Sequence, residues 1–363
     1  MERFYWAALS AFPGLGLKNI PALVDYFGSA RAAYTASRED YLATGLPLEP
    51  RRLGAYLKNR RPGYPEELAE FCARQHLQVL CYADRDYPEQ LKQTAMPPVA
   101  LYIRGSLPDL QQGLAMVGSR NASEYGLQVA RAFAADLSAA GLVIISGGAK
   151  GIDTASHEGA LTGGGPTVAV LGCGIDITYP ARNASLFARI SENGAVLSEF
   201  PPGTPPLAGN FPQRNRIVSG LARGLLVVEA AKQSGAMITV GFALEEGRDV
   251  FCVPGSIFLP NSAGCHSLIK AGARLVDRPE DILEELLPRQ PLVRHGPSLF
   301  SAPDLDLTPT GQKLLQLLSA QPQPLEDILE KTGLDLATVS RELLDLQLKG
   351  AVAMLAGQRF YRI

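Results

Sequence analysis

The chain has 363 residues, enough for about two or three domains with cores of their own. Lys and Arg number 34 against 36 Asp and Glu, a formal charge of −2, and 46% of the residues are apolar; wholesale disorder is excluded. A charge this close to balance gives no global attraction for a polyanion, so any such grip has to come from a local groove.

The helical spacing of Leu9, Phe12, Ile20, Leu23, Val24 and Phe27 around Pro13-Gly14-Leu15-Gly16 predicts a small helical unit over residues 1–75. Its glycine turn fits a helix-hairpin-helix (SAM-like) arrangement that offers N–H groups to a phosphate, with a mere packing module as the alternative. A strand is expected at 99–103. From 114 to 287, short apolar runs at 114–117, 142–145, 168–171, 195–197, 225–228 and 250–253 alternate with segments of helix length. Strands this continuously apolar need both faces covered, so an extended Rossmann-like domain with a doubly wound, mostly parallel sheet is expected over 76–288. Pro, Arg, His and Ser without a period mark 289–307 as a linker. Helices at 309–318, 325–331 and 336–348, followed by strands at 351–355 and 359–363, predict a winged helix over 308–363.

The five cysteines (Cys72, Cys81, Cys173, Cys252, Cys265) form no CxxC pair and read as reduced thiols, with neither a metal nor a redox site. No signal-peptide pattern and no uninterrupted run of ~18 apolar residues occurs, so a cytoplasmic location away from membranes is expected.

In an open parallel sheet, ligands sit beyond the carboxyl ends of the strands. The loops there are Gly118-Ser119-Arg120, then Ser146-Gly147-Gly148 with Lys150 and Gly151, then Gly172 and Gly174. Glycine lets backbone approach a ligand, and helix N-termini favour phosphate; the competing explanation for each loop is a tight turn. Neither GxxxxGK[ST] nor a complete GxGxxG is present, so no nucleotide cofactor is expected. Tyr179, Arg182 and Asn183 open one helix, and Gln213, Arg214, Asn215 and Arg216 open another. A helix start repels cations, so these arginines call for a compensating anion: an external phosphodiester, or internally Glu199 or Glu229.

Catalysis finds little support. His157-Glu158 has Leu161 where HExxH needs its second histidine, and no GxSxG occurs. Asp153 and Asp176 suit helix-start or turn carboxylates. In the would-be reading helix, Arg341 and Lys349 are offset by Asp335, Glu342 and Asp345, which is poor for a DNA groove.

The segments VGSRNAS (117–123), SGGAKGIDTASHEGAL (146–161), GCGIDITYPARN (172–183), SEFPPGTPP (198–206), FPQRNRIVSGLA (211–222), SGAMITVGFALEEGRDVFCVPGSI (234–257) and GCHSLIKAGARLV (264–276) together resemble the DprA/Smf family of DNA-processing proteins. The resemblance implies a non-enzymatic protein of natural transformation that binds and protects single-stranded DNA and helps load the RecA recombinase, commonly as a homodimer. It implies DNA contact at Arg120, extended by Arg182, Asn183, Gln213, Arg214 and Arg216. It places the dimer contact in later segments of the domain, with Met237, His266, Leu268 and Ile269 as candidates. Two other functions remain in competition: an enzyme resembling nucleoside-monophosphate phosphoribohydrolases, and a duplex-DNA regulator acting through the winged helix.

Overall fold

The computed structural model describes residues 1–287, 307–319, 322–355 and 357–362. The expected linker lies, except for Leu307, outside the described residues. Two units form, Met1–His295 and Gly296–Ile363.

Six helices lead the first unit: α1 (Glu2–Ala11), α2 (Asn19–Phe27), α3 (Ala30–Thr35), α4 (Arg38–Ala43), α5 (Pro50–Asn59) and α6 (Tyr64–Arg74). Their boundaries follow local chemistry. Ser37 and Asp40 form a reciprocal capping box at the start of α4, and Gly28 ends α2 in the left-handed region. Gly14, at φ +142°, lies so close to α5 that a Cβ would stand 2.3 Å from the Arg52 carbonyl oxygen, so that turn is shaped by packing. These helices share cores with the sheet: Trp6, Tyr34, Tyr41 and Tyr56 cluster with Cys81 and Val99, and Ala7 with Ala100 and Tyr102. The helical segment is thus continuous with the domain that follows it.

That domain contains β1 (Gln78–Cys81), α7 (Glu89–Lys92), β2 (Ala100–Gly105), β3 (Gly113–Val117), α8 (Glu124–Ala139), β4 (Val143–Ser146), α9 (Ile152–Thr162) and β5 (Thr167–Val170). It continues with α10 (Ala184–Glu192), β6 (Gly194–Ser198), α11 (Asn210–Gly220), β7 (Gly224–Val227), α12 (Gly235–Glu245), β8 (Asp249–Cys252), α13 (Ala263–Lys270), β9 (Arg274–Leu275) and α14 (Glu280–Leu286). The nine strands run in the order β1-β2-β6-β5-β4-β3-β7-β8-β9. Those from β6 to β9 are parallel, while β1 and β2 add an antiparallel edge. Each face buries alternate residues: Ala115, Val117, Ile145 and Leu225 on one, Leu114, Met116, Ile144 and Leu226 on the other. From β3 the chain winds outward through β4, β5 and β6, then returns to place β7 on the other side of β3. This reversal opens a crevice at the carboxyl ends of β3, β4 and β7.

The second unit contains α15 (Pro309–Leu317), β10 (Gln323–Pro324), α16 (Leu325–Thr332), α17 (Leu336–Leu348), β11 (Val352–Leu355) and β12 (Arg359–Arg362), a winged helix with strand order β10-β12-β11. Its own core joins Leu314, Ile328, Val339, Leu343, Leu346 and Phe360. Thr308 caps α15 by accepting from Gly311 N at 2.9 Å, and its hydroxyl donates to Glu342 at 2.6 Å.

Candidate nucleic-acid interface

The crevice is built by two interlocked turns. After β3, Ser119 N donates to Glu229 O at 2.7 Å, and Ser119 O accepts from Ile152 N at 3.2 Å. After β4, Gly151 adopts φ +84°, and a Cβ there would stand 2.3 Å from the same Ser119 oxygen. Gly118 is equally confined: its Cβ would lie 2.5 Å from Ile152 and 2.8 Å from Glu229 O. Glu229 is buried and clamps the start of α8, accepting from Ser123 N at 2.9 Å and from the Ser123 hydroxyl. It therefore pairs with no arginine of α11.

Arg120 and Lys150 stand exposed on these turns, and Arg182 stands exposed on the turn between β5 and α10. They line one depression of about 280 Å³, together with Thr154 and the Arg131–Glu158 ion pair. Arg120 and Asn121 also line an adjoining groove of about 350 Å³, floored by Gly118, Gly147 and Arg214 and walled by Asn215, Ser234 and Asn261. The two hollows share Arg120 and Asn121 and so adjoin as one cation-lined track, the first between α8 and α9 and the second at the strand ends. Arg120 is held above the Phe211 ring, and Tyr179 meets the same ring with centroids 5.5 Å apart. Among the described residues no carboxylate stands within ion-pair distance of Arg120, so its charge is left available to an anion.

Several residues expected at the ligand surface lie beneath it. Arg214 is 3% exposed; its Nη1 donates to Gly147 O at 2.5 Å and to Val170 O, tying the β4 and β5 strand ends together. Burial lowers its pKa to about 10, opposed by Asp153 nearby. It contributes field from the floor. Arg216 is a correction: its guanidinium is buried against Glu199, the internal pairing, and takes no part in the track. Burial raises the Glu199 pKa, and Arg216 opposes that shift. Asn183 is also internal, donating at 3.0 Å to both Gly148 O and Thr154 Oγ1 and so fixing the β4 turn. Gly172 and Gly174 are accounted for by packing, with a Cβ standing 2.8 Å from Phe211 and 2.7 Å from Asp176 respectively. Ser146 is buried, donating to Met116 O at 2.6 Å, and Gly148 lies against Phe187. Gln213 is exposed, and Asn215 Nδ2 donates to Gly235 O at 3.3 Å.

Asp153 accepts from Ala149 N at 3.2 Å, and Asp176 from Gly203 N at 2.9 Å, as expected of turn carboxylates. His157 is fully buried, its Nδ1 2.7 Å from the Thr167 hydroxyl, which in turn donates to Ile144 O. That geometry puts the proton on Nδ1, and burial lowers the His157 pKa to about 3. It is a core residue out of reach of the crevice. Of the expected interface residues, Leu268 packs in the core, His266 Nε2 lies 3.0 Å from Gly255 O, and Met237 and Ile269 are half-buried. Leu268 is therefore not placed to meet a partner. Sequence reasoning passed over Phe211 as a site residue, although an aromatic opening a helix among cations was its signal.

Fold and site define a class: a doubly wound α/β protein with a cation-lined track at its topological switch point. A family model described as DNA recombination-mediator protein A matches residues 78–287, and one described as DprA winged helix domain matches residues 300–358. Protein Smf of Escherichia coli is 44% identical over 279 residues, 75% of this chain and 74% of that protein. The crystal structure of DNA processing protein A from Streptococcus pneumoniae superposes with a TM-score of 0.66 at 35% identity, covering 78% of this chain and 98% of that one. A structure of DNA processing protein A from Helicobacter pylori, described for its single-stranded DNA binding mode, gives 0.53 at 28% identity over 58% and 96%. The chain belongs to the DprA/Smf family of DNA-processing proteins.

Proposed function

We propose that this protein binds single-stranded DNA along the Arg120 track, without catalysis, and delivers it to the RecA recombinase during natural transformation. The observation that carries this is the alignment of Arg120, Lys150 and Arg182 beside one another on turns whose shape is fixed from within. A flexible phosphodiester chain can follow such a track, whereas a duplex is stiffer and wider. Tyr179 and Phe211 add ring surface for unpaired bases. The groups that would read base edges are few, so sequence preference is weak. RecA delivery and a homodimer rest on the family relationship; for the dimer, α12 presents Ile238 and Leu244 exposed beside half-buried Met237. Among the described residues no helix is long and apolar enough to cross a membrane.

The test is fluorescence anisotropy with single-stranded and duplex oligonucleotides across a salt series, using the full chain. Affinity for the single strand should fall with salt at a slope of about −0.7 per phosphate neutralised. Equal or tighter duplex binding, or a flat salt response, overturns the proposal. Release of a base from nucleoside monophosphates would instead favour the phosphoribohydrolase alternative.

A further inference from the structure

The second hollow of the track has a wall whose hydrogen-bonding groups the fold leaves unused. α12 opens onto it at Ser234, Gly235 and Ala236. A serine preceding a helix normally accepts from its second or third N–H. Ser234 has the extended backbone for this, at φ −118° and ψ 159°, yet its side chain caps nothing, and its buried hydroxyl has no partner. The N–H groups of Gly235 and Ala236 meet no protein acceptor either. One turn further on, Thr239 lines the same hollow, is 2% exposed, and makes no side-chain hydrogen bond among the described residues. The carbonyl four residues back, on Gly235, accepts from Asn215 Nδ2 at 3.3 Å.

Buried hydroxyls and N–H groups left unpaired are costly unless a ligand completes them. The start of a helix favours an anion. The charge of the lining agrees, since Arg120 and Arg214 face one carboxylate, Asp153, whose Oδ2 accepts from Ala149 N at 3.2 Å. The number of donors says which anion. Two N–H groups, two hydroxyls and the Arg120 guanidinium suit the three free oxygens of a phosphomonoester, with its charge of about −1.5 to −2 at neutral pH. An internal phosphodiester has two free oxygens and a single charge. The hollow, of about 350 Å³, is at the low end for small-molecule pockets and admits one nucleotide.

We propose that this hollow is a subsite for a nucleoside monophosphate group. Its phosphomonoester is held at the start of α12 by the N–H groups of Gly235 and Ala236 and the hydroxyls of Ser234 and Thr239. The group is supplied by the phosphorylated end of a single strand or by a free mononucleotide. The inference rests on reading the Arg120 track as a strand-binding surface: internal phosphates follow the first hollow, and a strand end stops in the second.

Competition anisotropy on the full chain tests this, by displacing a labelled oligothymidylate. The competitors are oligothymidylates of one length with a 5′-phosphate, a 3′-phosphate or hydroxyls at both ends, beside dTMP and thymidine. A phosphorylated end should compete at least about fivefold better than hydroxyl ends. dTMP should compete where thymidine does not; a dTMP effect without an end effect assigns the subsite to the free nucleotide. Gly235→Pro deletes one N–H where proline suits the first helical turn and an extended Ser234 can precede it. Thr239→Val deletes the hydroxyl at nearly constant volume. Each variant should remove most of the advantage, with circular dichroism confirming the fold. Equal competition by every end together with no effect of dTMP overturns the inference, as does an advantage that survives both substitutions. If no oligothymidylate binds at all, the reading of the Arg120 track fails, and direct titration of dTMP against thymidine still decides the subsite.

Discussion

The guanidinium carbon of Arg120 stands 5.4 Å from the centroid of the Phe211 ring. The ring braces the cation from behind without cancelling its charge, as a carboxylate would. Arg214 lies 5.9 Å from the same centroid, so one aromatic side chain separates an exposed cation from a buried one. Gly172 leaves the space that the ring occupies.

Reversing the charge at Arg120 should therefore cost more than removing its brace. Arg120→Glu is expected to lower single-strand affinity by at least about tenfold at moderate salt. Phe211→Ala should lower it about two- to fivefold through the lost cation–π contact alone. Anisotropy titrations of both variants, with circular dichroism to confirm folding, check the order; equal losses would deny the bracing role.

Arg216 and Glu199 make a different prediction. Breaking a buried ion pair leaves one uncompensated charge, so Arg216→Met should destabilise by about 3–5 kcal/mol. Replacing both, with Glu199→Leu added, should recover most of that loss. Urea unfolding of the single and double variants measures it, and a double variant as unstable as the single would show that the pair is not the cause.

The buried imidazole of His157 titrates at about 3 in the folded chain, below its ordinary value of 6.5. The native state thus binds fewer protons than the unfolded one between these values, and its contribution to stability is fully present above 6.5 and lost as pH falls toward 3. The expected slope from this residue is about 1.4 kcal/mol per pH unit in that window. Asp153 and Glu199, whose pKa values are raised, contribute with the opposite sign, so the difference between wild type and His157→Asn isolates the effect. Urea midpoints of the two proteins should converge as the pH is lowered.

Gly151→Ala should disrupt the crevice from its hinge with the β3 turn. A side chain at φ +84° is strained, and its Cβ would meet Ser119 O at 2.3 Å. A loss of more than about 1 kcal/mol of stability is expected, together with weakened DNA binding. Gly164→Ala, at φ +76° but in open space, is the control for backbone strain alone. Binding lost equally in both variants would leave the contact with Ser119 without consequence.

How much of this could be read beforehand depended on whether the signal was local. The strands from β3 to β8 were legible because three or four consecutive apolar residues, repeated between segments of helix length, admit few alternatives to a doubly covered sheet. β1 and β9 were not, since four and two residues carry no period and owe their state to a neighbouring strand. Of the glycine turns, those at Gly118, Gly147 and Gly151 line the two hollows, while Gly148, Gly172 and Gly174 serve packing. The arginines opening α11 did need compensating anions, but for Arg216 the anion is Glu199, and for Arg214 it is a set of backbone carbonyls with Asp153 nearby. Which way a helix face turns is decided by packing between distant segments, and a single sequence does not show it. Asn183 was misplaced at the surface for the same reason.

The shared Ser119 oxygen, which accepts from Ile152 and excludes any side chain at Gly151, makes the β3 and β4 turns a single rigid body. On the proposed function, a strand arriving at one hollow would find the other already formed, so the entropy lost on association would be borne by the polymer rather than by the receptor. Captured DNA would then be held extended and in register, in a conformation imposed by the protein and not negotiated with it.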